Sequence, residues 1–380
     1  MKKTIDINSP QALTAACGNG VSGVMVFALL PMLLGVSADH LDLTELQAGM
    51  LASAYFSSYA LVTAVSIFWL RRYNWQHMTF SAIAVMAVSL GAIVLVASYQ
   101  ITLVSLFFCG VGAAVLHTLG YAIISDRRDK DRDFAIKLIP EQVIPAALLI
   151  LLSLYFPEYL NFNTLFLCLL AILFGHLFLA RGVPSGIRSL QQQTKPVLTN
   201  GISLGLIALF FSFTGFAGLW AFLERIARNA GMDIALTGQL ISIGLISSAI
   251  GPAFAAFIAD KFGRSIPLIV STLLSILPLL LFIEVTPGRY AVVMAILPTA
   301  WFFSNVYFCS VISENDLSGR MIGLIPFSLA CGALIGPGLF GWVIDGFGYA
   351  ASYWLCAVLF AIGTALILFL NQSKSVTDNV

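Results

Sequence analysis

Apolar stretches long enough to cross a bilayer follow one another along the whole chain, most of them separated by only a few polar residues. An α-helix rises about 1.5 Å per residue, so roughly 20 apolar residues cross the ~30 Å hydrocarbon core. Within that core a helix satisfies its own backbone donors and acceptors, which leaves few other folds open to such a chain. Twelve stretches can be drawn, at 11–36, 46–70, 78–98, 101–124, 134–156, 162–182, 201–227, 236–259, 266–285, 289–312, 321–343 and 349–371. Composition agrees with this reading. Charged residues are 10% of the 380 and the mean hydropathy is +0.95, against roughly 25% charged in soluble domains. The expected fold is an all-α integral membrane protein with twelve transmembrane helices, embedded in a lipid bilayer.

Several function classes drop out. There is no basic stripe with interleaved aromatics, so no nucleic-acid partner is expected. The six cysteines all fall inside apolar runs, without a C-x-x-C pair, and the four histidines are scattered. Neither set offers a metal site, and no cofactor is expected. Met1-Lys2-Lys3 resembles the basic start of a signal peptide, but Asp6 interrupts it and the apolar run continues to Leu34. A first transmembrane helix is expected instead, starting at Asn8-Ser9-Pro10 with a capping side chain ahead of a proline.

Charge placement orients the chain. With the N-terminus inside, all of the Lys and Arg except Arg225, Arg228 and Arg289 fall on the inner side, as the positive-inside rule requires. Both termini are expected in the cytoplasm, at a bacterial inner membrane. The chain also repeats. Aligning Ala48–Leu51 with Thr237–Leu240 lays Arg71–Trp75 on Asp260–Arg264 at the same offset, and Ser125-Asp126 on Glu314-Asn315. Residues 1–183 and 200–380 are thus read as pseudo-symmetric six-helix bundles, joined by a cytoplasmic central loop at 184–199. Such internal repeats mark secondary transporters.

Asp260-Lys261-Phe262-Gly263-Arg264 resembles the loop signature of the major facilitator superfamily, G-x-x-x-D-[RK]-x-G-[RK], with Ala256 in place of the leading glycine. Asn315–Arg320 and Gly336–Trp342 resemble its second-half pattern. The resemblance implies two six-helix bundles, a central cavity lined by spans one, four, seven and ten, and alternating access. It also implies an inner-gate loop of Asp260, Lys261, Gly263 and Arg264, with Arg71 and Arg72 in the worn first copy. Gly263 permits a tight reversal there, and Asp260 can face a helix N-terminus. A plain topology-anchor role for Lys261 and Arg264 fits the same positions. Hallmarks of exporters are missing: Leu106 stands four residues before Gly110-Val111-Gly112 where proton-coupled members carry Arg, and span five has no glycine.

Polar side chains deep in a span are costly unless they face a cavity or a partner. Glu141 is the deepest carboxylate and suits a proton carrier; a structural acid paired with Lys137 at i−4 fits equally. His117 lies at similar depth on the next span and is the second proton-coupling candidate, with a packing histidine as the alternative. Asn19, Tyr121, Trp301 and Asn305 are substrate-cavity candidates, or interhelical glue. In Phe213–Arg225, Gly215 and Gly218 are expected to let the helix bend at an outer gate sealed by Phe216 and Trp220. Glu224 and Arg225 follow near the outer boundary, as a gate pair or as interfacial charges. No phosphate loop or nucleophile–base set is present, so no enzyme activity is expected.

The sequence thus reads as a monomeric secondary transporter that moves a small-molecule substrate with proton coupling. Efflux is the first direction and uptake the alternative. The few charged cavity candidates point to a neutral or weakly charged solute. A non-transporting receptor or assembly partner on the same fold is the alternative of another class.

Overall fold

The structure, a computed structural model, describes residues 5–70, 72–128, 130–186, 199–258, 262–315 and 324–377. The described residues form helices and short connections. In chain order these are α1 (Pro10–Ala28), α2 (Leu30–Leu41), α3 (Glu45–Ala64), α4 (Ser66–Trp69), α5 (Trp75–Val96), α6 (Tyr99–Ser125), α7 (Lys130–Tyr155) and α8 (Phe162–Ala180). The second half holds α9 (Asn200–Ala221), α10 (Leu223–Asn229), α11 (Ile234–Ser248), α12 (Ile250–Ile258), α13 (Ser265–Ile276), α14 (Pro287–Asn315), α15 (Ile325–Phe347) and α16 (Tyr349–Thr377).

Among the described residues ten helical stretches are long and apolar enough to cross a membrane, or eleven if α1 and α2 count as one bent span. The expected twelve are therefore not all matched. The expected span 46–70 is the missing one. It folds as α3 and α4, and Ser53, Ser57, Ser58, Tyr55 and Tyr59 lower its hydropathy.

Side-chain caps start many of these helices. Ser9 accepts from the Ala12 amide at 3.2 Å, with Pro10 at the first helical position as expected. Asn74, Ser98, Asn161, Thr199 and Asp233 cap α5, α6, α8, α9 and α11 in the same way. Each cap satisfies an amide that the helix itself leaves free. The turn between α5 and α6 lies at Ala97-Ser98, two residues ahead of the expected Tyr99-Gln100, with Ala97 left-handed at φ 41°.

Prolines explain most of the departures from one helix per span. Pro31 lacks the N–H and its ring crowds the Phe27 carbonyl, so the first span breaks at Leu29 and bends by 49°. Pro252 follows the break between α11 and α12, and Pro278 opens the 3₁₀ stretch Leu277–Ile283 that ends the ninth span. Pro140, Pro145 and Pro298 instead sit inside continuous helices. Two of the carbonyls they release find side-chain donors: the Cys17 thiol on Ile136 O at 3.9 Å, and the Ser247 hydroxyl on Met294 O at 2.9 Å.

The chain divides into two compact units, Met1–Leu43 with Met50–Gln192, and Thr44–Gly49 with Gln193–Val380. In the first unit α1 packs against α6, α7 and α8, and α5 lies on α6 and α8. Trp75, fully buried among Ala12, Ala15, Ala16, Leu119 and Val183, anchors the start of α5. Its backbone N–H donates to Ser185 O at 3.0 Å and its indole N–H to Leu70 O at 2.6 Å. Arg127 is buried as well, bonded to Asp133 at 2.5 Å and to the carbonyls of Ile7 and Ser9. In the second unit α9 packs between α15 and α16, and α14 against α11, α12 and α13. That unit includes residues 44–49, where Thr44 and Gln47 form a reciprocal capping box. Asp345 accepts from the amides of Glu45 and Leu46 at 3.1 and 2.9 Å.

Candidate functional site

The densest set of ionisable side chains inside a span lies in the first unit, around α1. Gly18, Gly20 and Gly23 leave notches on that helix, and each is filled by an ionisable side chain from a neighbour. His176 of α8 sits against Gly18, Glu141 and Lys137 of α7 against Gly20, and His117 of α6 against Gly23. A methyl group at any of the three glycines would overlap these neighbours. Gly120 of α6 admits Lys137 Cε in the same manner, at 3.1 Å from where its Cβ would stand.

Lys137 and Glu141 form a close ion pair one helical turn apart, 0% and 2% exposed. Both lie in the apolar stretch Ile136–Tyr155. Among the described residues Glu141 is the only hydrogen-bond partner of the Lys137 ammonium, whose other neighbour is the ring of Tyr121, 4.0 Å from its centroid. Tyr121 is 38% exposed and forms the accessible edge of the cluster. His117, half-buried, meets Tyr121 edge to face at 4.8 Å, and its Nδ1 is hydrogen-bonded to the Tyr59 hydroxyl. The Nε2 atoms of His117 and His176 and the Oδ1 of Asn19 are buried without a hydrogen-bond partner among the described residues. His176 Nδ1 meets Ser22 Oγ at 2.9 Å.

Glu141, His117 and Tyr121 thus come together as neighbours, with Lys137 and Tyr59 completing the group. Asn19 stands apart. It is fully buried and turned toward Thr79 of α5, with its Nδ2 at 3.5 Å from that hydroxyl. The sequence pattern did not single out Tyr59 or His176. For Tyr59 a usable signal exists, a tyrosine in the middle of an apolar span. His176 has none, because its pattern is that of any packing histidine.

In the second unit Trp301 of α14 stacks on Phe216 of α9 at 4.5 Å, and Phe216 stacks on Trp220 at 5.8 Å and on Phe213 at 6.1 Å. The Trp301 indole N–H donates to Ser212 Oγ at 3.1 Å. Asn305, one turn beyond Trp301 and half-buried, accepts weakly from Cys309 Sγ at 3.9 Å. Gly215 and Gly218, the expected bending positions, show no break in the helix. Both lie within continuous α9, Gly218 against the Phe340 ring, and the helix breaks later, at Phe222. Glu224 is fully buried, and its carboxylate lies 3.8 Å from the Arg228 guanidinium. Arg225 binds Glu45 at 3.1 Å, and Glu45 Oε1 also accepts from the Tyr349 hydroxyl at 2.7 Å. Arg225 is one residue past Glu224 on the helix, so the two project in different directions.

Of the expected inner-gate loop, Arg71, Asp260 and Lys261 lie outside the described residues. Gly263 has φ +62°, a left-handed conformation that favours glycine. Arg264 stands at the head of α13, half-buried, and Arg72 is exposed.

The profile of the Major Facilitator Superfamily matches residues 205–379. Two crystal structures of the nucleoside transporter NupG superpose with TM-scores of 0.74 and 0.71, covering 95% and 96% of this chain and 99% of each of theirs. The second half of the chain thus resembles the major facilitator superfamily in sequence, and the whole chain resembles a nucleoside transporter in fold. NupG is only 14% and 15% identical, so that likeness bears on the fold alone. Among curated proteins, the chain is 23% identical over 188 residues to the uncharacterized MFS-type transporter YbcL of Bacillus subtilis (strain 168). It is 28% identical over 182 residues to the purine ribonucleoside efflux pump NepI of Salmonella enteritidis PT4 (strain P125109). These alignments take in 47% and 44% of this chain, and the chain spans about half the length of these relatives, 48% and 43%. The chain is a multi-pass membrane protein whose described residues form helices and short connections.

Proposed function

We propose that this chain is a secondary active transporter that moves a small organic solute across the bacterial inner membrane by alternating access, with protons coupled through Glu141 and Lys137. The observation that carries the proposal is the buried Lys137–Glu141 pair beside an accessible Tyr121. A charge pair inside a span is expensive to maintain, and a carboxylate that can lose its partner is a natural proton site. His117, linked to Tyr59, is the second proton group, and Trp301 and Asn305 are the proposed cavity residues of the second unit. Both termini are proposed to be cytoplasmic, and the transporter to act as a monomer.

Gating is proposed on two levels. The outer gate is Arg225 with Glu45 and Tyr349, backed by the stacked rings of Phe216 and Trp220. The inner gate is the loop of Asp260, Lys261, Gly263 and Arg264, with Arg71 and Arg72. Asp260→Asn should slow transport and leave selectivity unchanged; a changed substrate preference would contradict that role.

Efflux is the proposed direction, supported by the name of the NepI pump. Uptake is the second reading, favoured by Leu106 and the glycine-free fifth span. The test is solute accumulation in liposomes containing the purified protein, with and without a pH gradient. Glu141→Gln should lose gradient-driven accumulation and keep exchange. Wild-type accumulation and pH dependence in that variant would refute the coupling role.

A further inference from the structure

The charge balance of the first unit's polar cluster says what kind of solute can travel with the proton. Resting on the coupling role proposed above, we infer that the Lys137 ammonium is a binding site for an acidic group, a carboxylate or a group of like charge, on the transported solute. The solute and its proton then move together as a neutral set.

The argument starts from the pair itself. Lys137 is 0% exposed, and among the described residues Glu141 is its ion-pair partner, while Asp133, one turn earlier, is bound by Arg127. An ammonium has three N–H donors. One goes to Glu141 and one face lies against the Tyr121 ring. Protonating Glu141 removes the paired countercharge from a buried cation, which is strongly unfavourable by itself. Passing the Lys137 proton to Glu141 would neutralise both groups but would carry no proton across the membrane. Net proton carriage by this pair therefore requires an incoming anion. A proton from water adds to the Glu141 carboxylate, the solute anion takes the place of that carboxylate on Lys137, and the cluster keeps its net charge. Release runs in reverse, with Glu141 returning its proton to water and closing again on Lys137.

The groups facing the pair fit this scheme. Tyr121, 38% exposed, is the only part of the cluster with substantial exposure, and it covers the ammonium. His117 stands beside it with an unpaired Nε2, and Tyr59 lies behind His117. Cys17 on α1 bonds the Ile136 carbonyl, and His176 occupies the Gly18 notch. The Arg127–Asp133 pair nearby is closed on itself. Apart from Glu141 and the Arg127-bound Asp133, whose charge is balanced by that guanidinium, none of these neighbours is a carboxylate that would repel an anion at Lys137. An uncharged ribonucleoside offers the ammonium no countercharge. The direction of net movement is then set by the proton and solute gradients together.

The test is thermal unfolding of the purified full chain in detergent, from pH 6 to pH 8. The probes are benzoate and lactate, their amides, and inosine. In the wild type, affinity for the carboxylates should strengthen on acidification, by up to about tenfold per pH unit, since one proton is taken up per anion. Glu141→Gln should bind them without pH dependence, and Lys137→Met/Glu141→Gln should bind none. A Glu141→Gln protein that is recovered folded only with benzoate or lactate present counts in favour. If that variant does not fold at all, the wild-type pH series decides. Carboxylates that act no better than amides or inosine at any pH would overturn the inference. The coupling role fails separately, if the ligand-free wild type and Glu141→Gln lose stability with pH in the same way.

Discussion

Position 20 has no room for a side chain. An alanine methyl there would fall on the Glu141 carboxylate and within 3.1 Å of Lys137 Cε. Gly20→Ala should therefore force the pair apart, destabilise the protein by about 1–3 kcal/mol and abolish pH-linked transport; normal stability together with normal accumulation would argue against the notch. Trp75 makes another residue-scale case. Its ring fills the place where Gly186, at φ +67°, would carry a Cβ, and it is fully buried. Trp75→Ala should cost roughly 3–5 kcal/mol, read as a fall in the melting temperature of the purified protein. Contacts of this kind differ in how readable they are from sequence. Glu141 and Lys137 are one turn apart on one helix, so their pairing follows from spacing alone. The approach of Glu141 to Gly20, or of Tyr59 to His117, depends on how separate helices are rotated against one another, which spacing within each helix does not determine.

At the scale of the elements, proline outcomes depend on what receives the released carbonyl. Pro298 stays inside α14, and Ser247 of α11 donates to Met294 O. In an apolar environment a carbonyl without that donor is costly. Ser247→Ala should therefore destabilise the second unit by about 1–3 kcal/mol, measured by thermal unfolding; an unchanged melting temperature would show that the carbonyl is satisfied in another way. Ala97 closes α5 at a positive φ of 41°, so Ala97→Gly should stabilise by about 0.5–1 kcal/mol. Most span limits were legible, because apolar length and capping residues mark them locally. The first span reads as one helix in sequence because its apolar pattern runs through Pro31 without interruption. The break at Phe222 has no glycine or proline to mark it, and Gly215 and Gly218 pack closely against Phe340 and neighbouring backbone.

At the scale of the whole molecule, the uneven distribution of Lys and Arg predicts cytoplasmic termini. A C-terminal reporter that is active only in the cytoplasm should be active, and one active only outside should be silent. The association of Glu45 with Arg225 and Tyr349, residues far away in sequence, had no local signal at all. The coupling proposal rests on the Lys137–Glu141 pair, and one measurement tests it most directly. The purified wild type and Glu141→Gln are placed in liposomes that enclose a pH-sensitive dye, and a gradient of a transported carboxylate, benzoate or lactate, is imposed. The wild type should change the internal pH as solute moves, while Glu141→Gln exchanges solute across the membrane with the internal pH unchanged. A pH change in Glu141→Gln equal to that of the wild type would contradict the account.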